Sequence, residues 1–477
     1  MKKFWTNEPG SYKIAPDLVF KFLVGKGFYI YKPTKENEPI LIRDKNNRVA
    51  QVSAKYIRRY CSDYIRDTFE FQTEEEKTQV INEYVKASSL FSKDNLDLLP
   101  SLEINEVRDT KETSYMFFRN CLLEITAEGV VKKTYDALDG HVWEKDVIQY
   151  DFDAEVPSEI IPCGEFHEFF KDITKHDIVD VQRTNRDSLV TIIGYLLHRY
   201  KNEGEAKAII FMDTYSDGYA NGGTGKGLLR RGLEQIRHTA MQDGKLYKSS
   251  DKFAFSNLTY GTRILAFDDV PSDFNFEKLF PLITEKAVVE RKYENKFVIP
   301  FKDSPKVMIT TNYTIEGKGS SHRRRKIEFI LSDTYNDEYT PEDRFSHLLF
   351  AEWEDSEWGK FYLFMTYCIQ MYLLEGIVKP RFNVAERTLK LNAPQSFISW
   401  ATFSTGPDEK FNKKDELEDY QIFDKNQANL EQNTFTRWMK LYADAFGYKV
   451  KETHSGSDNF IEFLEPESSK KPTEHKL

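Results

Sequence analysis

A chain of 477 residues that is 40% hydrophobic and 14% aromatic is too long for one compact core and too apolar to be disordered, so two to four folded domains are expected. No stretch approaches the roughly 18 unbroken apolar residues of a membrane helix, and Met1–Pro9 lacks the apolar centre of a signal peptide; a cytoplasmic protein with no membrane partner is expected. The formal charge of −10 excludes a uniformly basic nucleic-acid binder but not a local one, because phosphate contacts are screened within about 10 Å.

Such a local surplus exists. From Lys286 to Lys326 there are eleven Lys or Arg against four Asp or Glu. Cys61, Cys121, Cys163 and Cys368 are scattered with no Cys-x-x-Cys pair, which argues against a disulfide framework or zinc ribbon and for small buried apolar groups.

Residues 1–95 read as a mixed domain. It has helices at Leu18–Val24, Tyr56–Ile65 and Glu74–Leu90, strands at Phe28–Tyr31, Ile40–Ile42 and Val49–Val52, and a tight turn at Asp44–Asn47. Residues 96–205 read as mainly helical, opening on a strand pair at Met116–Phe118 and Leu122–Ile125 and closing on a helix at Leu189–Tyr200. In 206–385 the runs Ile209–Met212, Ile264–Phe267 and Val307–Thr310 are continuously apolar, as strands of a parallel α/β sheet covered on both faces; a helix at Trp358–Leu374 closes the unit. Residues 386–410 read as a linker, 411–465 as a small winged-helix-like domain and 466–477 as a disordered polar tail.

The most informative stretch is Asn221-Gly222-Gly223-Thr224-Gly225-Lys226-Gly227, set between an apolar strand and a helical Leu228–Ile236. Glycines let backbone N–H groups turn inward around phosphate, and the helix N-terminus adds its positive dipole. Gly222, Gly223, Thr224, Gly225, Lys226, Gly227 and Leu228 are therefore the expected ATP contacts, with Lys226 reaching the β and γ phosphates. Two positions depart from the usual motif. Ala220 stands for its first glycine, and Gly227 for the Ser or Thr whose hydroxyl holds Mg2+, which would here need water or an acidic side chain.

Forty-two residues beyond Lys226, the strand Arg263–Phe267 delivers Asp268-Asp269. Asp268 is assigned to the metal and Asp269 to activating the attacking water. A third strand ends in Thr310-Thr311-Asn312, where the Asn312 amide can orient that water. Ser321–Lys326 follows, with Arg324 and Arg325 as candidates for an arginine finger supplied to a neighbouring subunit. Alone, an Asp pair at a strand end is a loop start, Asn312 a turn residue and the arginines a solvated or DNA-facing cluster. Their order and spacing after Lys226 give them catalytic meaning.

Together with Ala287–Asp303, these motifs resemble the superfamily 3 helicases, and within them the poxvirus and phage/plasmid primase-helicase branch. Glu290-Arg291-Lys292-Tyr293 followed by Phe297–Phe301 is similar to that branch's β-hairpin, which projects into a ring's channel and grips single-stranded DNA. The resemblance implies an AAA+-like P-loop core and a homo-hexamer that uses ATP and Mg2+. It also implies 3′-to-5′ movement on single-stranded DNA during replication of a phage or other mobile element, hence the cytoplasm of a bacterial host. It makes Arg291, Lys292 and Lys296 DNA contacts and Arg324 or Arg325 the finger; the residues by themselves leave an ordinary surface hairpin open. It spans about residues 105–335. Phe117–Asn120, Leu122–Thr126 and Val142–Phe152 look like the helical domain preceding the ATPase, with Cys121 where an Asn-Gly pair is expected.

Val147–Asp153 ends in Asp-x-Asp, the metal pair of a polymerising primase. No matching downstream Asp and His set follows it, so any primase is expected to be a separate chain. Near the C-terminus, a helix Phe435–Ala443 capped by Thr434 and ended by Gly447 precedes strands Lys449–Glu452 and Phe460–Phe463, the pattern of a winged helix. Arg437 and Lys440 share one helix face and are the expected contacts to duplex origin DNA, with a protein dock as the alternative. The expected activity is an ATP-driven DNA helicase. A DNA-binding initiator or scaffold that binds ATP and barely hydrolyses it is the rival, favoured by Gly227; a small-molecule kinase is disfavoured by the Asn312 strand and the arginines.

Overall fold

The computed structural model describes residues 3–8, 11–32, 38–216, 219–220, 223–292, 295–313, 315, 320–381, 384–407, 409–456 and 458–464. Asn221, Gly222, Tyr293 and the 466–477 tail lie outside the described residues.

Five parallel strands form the centre: β1 Ala208–Asp213, β2 Thr239–Asp243, β3 Ile264–Val270, β4 Lys306–Thr311 and β5 Lys326–Leu331, in spatial order β2-β3-β4-β1-β5. All of β1 is buried, with Ile209 and Phe211 in one core and Ala208, Ile210 and Met212 in another. This is the two-sided burial that a continuous apolar run predicts. One face is covered by α1 Glu165–Ile173, α2 Val179–Leu197, α3 Lys226–Glu234 and α4 Asp355–Glu375, through Phe166, Phe169, Ile193, Leu229 and Phe361. The other is covered by the 274–289 segment, with its short helical turns Phe276–Leu279 and Phe280–Thr284 and strand Ala287–Val289, through Phe276, Leu282 and Val289.

Two of the five strands escape the sequence pattern. β2 and β5 are the sheet edges, and they carry Gln242, Asp243, Lys326 and Glu328 among their apolar residues. From β1 the chain crosses to the far edge at β2, returns through β3 and β4 to β1's side, and then passes to β5 on the other. The carboxyl end of β1 therefore lies where the strand order reverses, the place where open α/β sheets hold their ligands.

The 96–205 region is not a separate, mainly helical domain. Its first half is a four-stranded sheet, ordered Val147–Ile148, Ser114–Phe118, Leu122–Ile125, Val130–Lys133. Its two main helices, α1 and α2, share one core with both sheets, which holds Phe166, Phe169, Ile193 and Leu196 together with Ile209 and Phe211 of β1 and Met116, Phe118 and Leu123 of the four-stranded sheet. A buried charge joint ties the region to β3: Arg263 donates to both oxygens of Asp146 at 2.9 and 2.6 Å, and Arg199 to Asp146 at 2.8 Å and Asp109 at 3.1 Å. Burial alone would raise the Asp146 carboxyl, but Arg263 and Arg199 hold it down at about 2.

The N-terminal unit contains an antiparallel sheet, Phe28–Tyr31, Ile40–Lys45 and Arg48–Gln51. Asn46 and Asn47 sit at φ 54° and 63°, the paired left-handed conformation of a two-residue hairpin turn.

The stretch read as a linker is not one. Val384–Asn392 and Gln395–Ser404 are helices, and Leu389, Phe397 and Trp400 share a core with Phe435, Trp438 and Met439 of the helix Gln432–Ala445. That helix begins at Gln432, two residues before Thr434, with Glu431 at the cap position, so the Thr434 cap is wrong. Its wing, Lys449–Ser455 paired with Asp458–Leu464, matches the expected strands. Cys61, Cys121 and Cys368 are buried, whereas Cys163 is exposed. No helix among the described residues is long and apolar enough to cross a membrane.

Candidate active site

β1 ends in Asp213, and the chain returns to it through Thr224 and Lys226. Gly225 caps α3 at φ 106°. A Cβ there would lie 2.7 Å from the Phe169 ring, so both the turn and the packing require glycine. Gly223, at φ 86°, supplies the preceding left-handed step. Gly227 and Leu228 follow in the first turn of α3, where the Leu228 N–H donates back to Gly225 O at 3.0 Å. Open space surrounds the Gly227 Cα.

The Lys226 ammonium is ion-paired with the Asp213 carboxylate and donates to Asn312 Oδ1 at 2.9 Å. Thr224 Oγ1 donates to the other Asp213 oxygen. The Asp213 side chain is fully buried and that of Lys226 is 12% exposed. Lys226 and Asn312, read separately from the sequence, are thus in contact. Asp213 is the member that sequence reasoning missed. Its only signal was an acidic residue closing an apolar strand, which reads equally as a loop start.

On β3, Asp268 and Asp269 form a bulge. Phe267 pairs with Ile309 and Val270 with Thr311, so both aspartates stand opposite Thr310. The extra residue is accommodated by Asp269 at φ 53°. Thr310 Oγ1 donates to Asp268 Oδ1 at 2.7 Å and accepts the Asp269 N–H at 2.9 Å. The two carboxylates consequently diverge. Asp268 is held beside β4, while Asp269 Oδ2 lies 2.5 Å from the Lys245 ammonium, a bond that holds Lys245 above its ordinary value. Thr310 and Lys245 were not singled out in the sequence. Asp268 is a hard oxygen donor with one oxygen on Thr310 and the other unengaged among the described residues, a set that suits Mg2+, which takes one or two carboxylates plus phosphate oxygens.

Arg324 and Arg325 end the short helix Ser320–Arg325, and β5 begins directly after them. Lys326 pairs with Ala208 and Leu331 with Asp213. The arginines therefore stand at the opposite end of the sheet from Lys226, about 17 Å away along the strands at ~3.3 Å per residue. Arg324 is exposed. Arg325 stacks 4.5 Å over the Phe280 ring and donates to Ser321 O at 3.3 Å.

The hairpin forms as Ala287–Val289 paired with Phe297–Ile299. Arg291 is committed to the protein, donating to Ser256 O at 3.1 Å and Leu258 O at 2.6 Å, so it anchors the hairpin base. Lys292 is exposed, and Lys296, 66% exposed, pairs with Glu290 at 2.8 Å. Asn295 donates to Glu38 at 2.5 Å, which places the hairpin against the N-terminal unit rather than free of it. On the C-terminal helix Arg437 is exposed, while Lys440 bonds Glu452 at 2.6 Å. The Asp-x-Asp pair lies beyond the strand end at Ile148, with Asp151 paired to Arg119 at 2.9 Å and Asp153 accepting from Asn120 at 3.0 Å.

No family model matches the chain, and no curated protein matches it. Among solved structures it is similar to the apo NrS-1 C-terminal region, with 13% identity over 94% of this chain and 98% of that one at a TM-score of 0.39. It is similar also to a structure described as SCCmec type IV Cch, active helicase, with 13% identity over 93% and 73% of the two chains at a TM-score of 0.31. A third is JCV helicase with a bound acetamide compound, 12% identical over 58% and 66% at a TM-score of 0.25. At these values the likenesses bear no weight in assigning chemistry, which rests on the site itself.

Proposed function

We propose that the chain is an ATP-driven DNA helicase of the superfamily 3 kind, working as a ring on single-stranded DNA in the replication of a mobile element. The observation that carries this is the Lys226–Asn312 contact at 2.9 Å at the switch point of the sheet, with Asp268 and Asp269 on the next strand but one.

On this reading Lys226 exchanges Asp213 for the γ-phosphate, and its charge follows the charge that develops there. Asn312, already within reach of the lysine, orients the attacking water. Asp269 swings off Lys245 to accept its proton. Thr310 fixes Asp268, which would hold Mg2+; the ion supplies charge neutralisation across the phosphates when bound. Arg324, exposed at the far end of the sheet, serves the next subunit's site, and Arg325 supports it from its seat on Phe280.

The rival reading, an ATP-binding initiator or scaffold, is favoured by Gly227, which offers no hydroxyl for Mg2+, and by the Asp213 pair that occupies the lysine. ATP turnover with and without single-stranded DNA separates the two. A motor is expected to be strongly stimulated; negligible turnover under both conditions would establish the scaffold.

A further inference from the structure

A cleft separate from the nucleotide site runs between the N-terminal sheet and the hairpin. Its first part, about 670 Å3, is lined by Arg43, Lys45, Arg48, Gln51, Tyr56 and Lys145. Through Gln51, Val52 and Ser53 it continues into a second part of about 770 Å3, walled by Thr259, Arg291 and Lys296. The Ser256–Thr259 segment joins them. Lys145 Nζ donates to Thr259 Oγ1 at 3.1 Å, and Arg291 holds the carbonyls of Ser256 and Leu258.

The lining is cationic. The first part has Arg43, Lys45, Arg48 and Lys145 against Glu144; the second has Lys93, Arg291 and Lys296 against Glu38 and Asp97. That is a surplus of four positive charges, seven less three, in a chain whose net charge is −10. Lys93 and Lys296 are satisfied by Glu38 and Glu290. Lys45 and Lys145 are exposed and form no ion pair among the described residues. Partial burial and the charge of Arg291 hold the Lys145 ammonium below its ordinary value. At the mouth stands Tyr56, 44% exposed, its hydroxyl accepting from Arg43 at 3.1 Å.

We propose that this cleft is a binding site for single-stranded DNA in which Lys45 and Lys145 neutralise backbone phosphates and Tyr56 stacks on a base, while Arg48, which donates to Arg119 O at 2.6 Å and stacks on Tyr135, shapes the wall. The proposal rests on the reading of the chain as one that works on single-stranded DNA, and it extends the strand's path from the hairpin onto the N-terminal sheet. A cationic groove with an exposed ring suits single strands, because every base offers a π-face and none needs to be read by its edge. A duplex keeps its bases stacked away from such a ring.

The test uses the full chain and a fluorescent oligo-dT, with binding followed by anisotropy across a salt series. Lys45→Ala with Lys145→Ala is expected to weaken binding about twentyfold at 0.1 M salt and to lower the salt slope by about 1.4, two contacts at about 0.7 each. Tyr56→Ala is expected to weaken binding about fivefold or more and leave the slope alone. Lys21→Ala with Lys86→Ala removes the same charge from exposed sites elsewhere and is expected to change neither. An unchanged slope in the first pair, an equal loss in the control pair, or tighter binding of a duplex of the same length would each overturn the proposal. If the double variant has a lowered thermal midpoint, Lys45→Ala alone is read, with half the slope change expected. A chain that binds oligo-dT through these residues but hydrolyses no ATP would sink the motor and leave the cleft standing; a DNA-stimulated ATPase whose affinity ignores them would do the reverse.

Discussion

Asp213 sets the resting state of the site, since it holds Lys226 and Thr224 at once from a fully buried position. On the proposed reading, ATP has to displace this carboxylate before the lysine can serve it. Asp213→Asn keeps an oxygen for Thr224 and removes the competing charge. ATP binding is expected to tighten by about tenfold, equivalent to about 1.4 kcal/mol, as measured by titration calorimetry. Equal or weaker binding would mean that Asp213 assists the nucleotide directly. Lys226→Ala removes the charge itself, and turnover should fall a hundredfold or more, the usual loss for one transition-state donor. A variant within twofold of the native rate would end the nucleotide assignment. Lys226, Asp268 and Asn312 were legible in the sequence because each closes a local pattern, a glycine turn or an apolar strand. Asp213 and Thr310 were not, because their roles depend on register: Thr310 meets both aspartates only through the bulge opposite it.

At the scale of elements, the three interior strands announced themselves as unbroken apolar runs, and the edge strands did not. The C-terminal boundary was misplaced for a different reason. Pro394 and the polar stretch after Ser404 punctuate the chain like a linker, yet Leu389, Ala393, Phe397, Trp400 and Ala401 recur at helical spacing and are all buried. The unit that shares this core begins near residue 384, and separability is expected there rather than at 411. A chain ending at Arg381 is expected to stay soluble with its ATPase activity, because Val378 and Arg381 are held by Thr191 and Asn185 of α2. A chain ending at Asp408 exposes the Phe397–Trp400 face and should aggregate, which light scattering would show; the reverse outcome would restore the linker. The hairpin was legible as two short apolar runs around a charged tip, but not its attachment, since Arg291 reads as a DNA contact until its carbonyl partners are seen. With Arg291 structural, the DNA-stimulated part of turnover should depend on Lys292 and Lys296. Their joint replacement by alanine should reduce it and lower the salt slope of binding by about 1.4; full stimulation would return the hairpin to an ordinary surface role.

The whole molecule is incomplete as a catalyst on this reading, because its nucleotide site and its arginines face opposite ends of one sheet. Lys326 begins β5 beside Ala208, at the amino end of β1, whereas Lys226 rests on Asp213 at the carboxyl end. No side chain spans about 17 Å of strand, so an arginine that helps the γ-phosphate must come from a neighbouring copy whose amino edge meets this chain's carboxyl edge. Head-to-tail contacts of that kind close into rings when the rotation per subunit allows. The consequence can be tested by mixing. Lys226→Ala chains lack the phosphate lysine but keep their arginines; Arg324→Ala, Arg325→Ala chains keep the lysine and lack the finger. Each alone should be inactive. In a mixed ring, every interface that sets an intact lysine against an intact arginine pair should hydrolyse ATP, so the mixture should regain turnover with a maximum near equal proportions. Turnover that stays at the level of the separate variants, while fluorescence transfer between labelled subunits proves exchange, would refute the shared site. Since arginine loss can also disturb the Arg325–Phe280 seat, Arg324→Ala alone provides the cleaner arm: it touches only the exposed residue, and its rescue by Lys226→Ala chains would place the finger at Arg324.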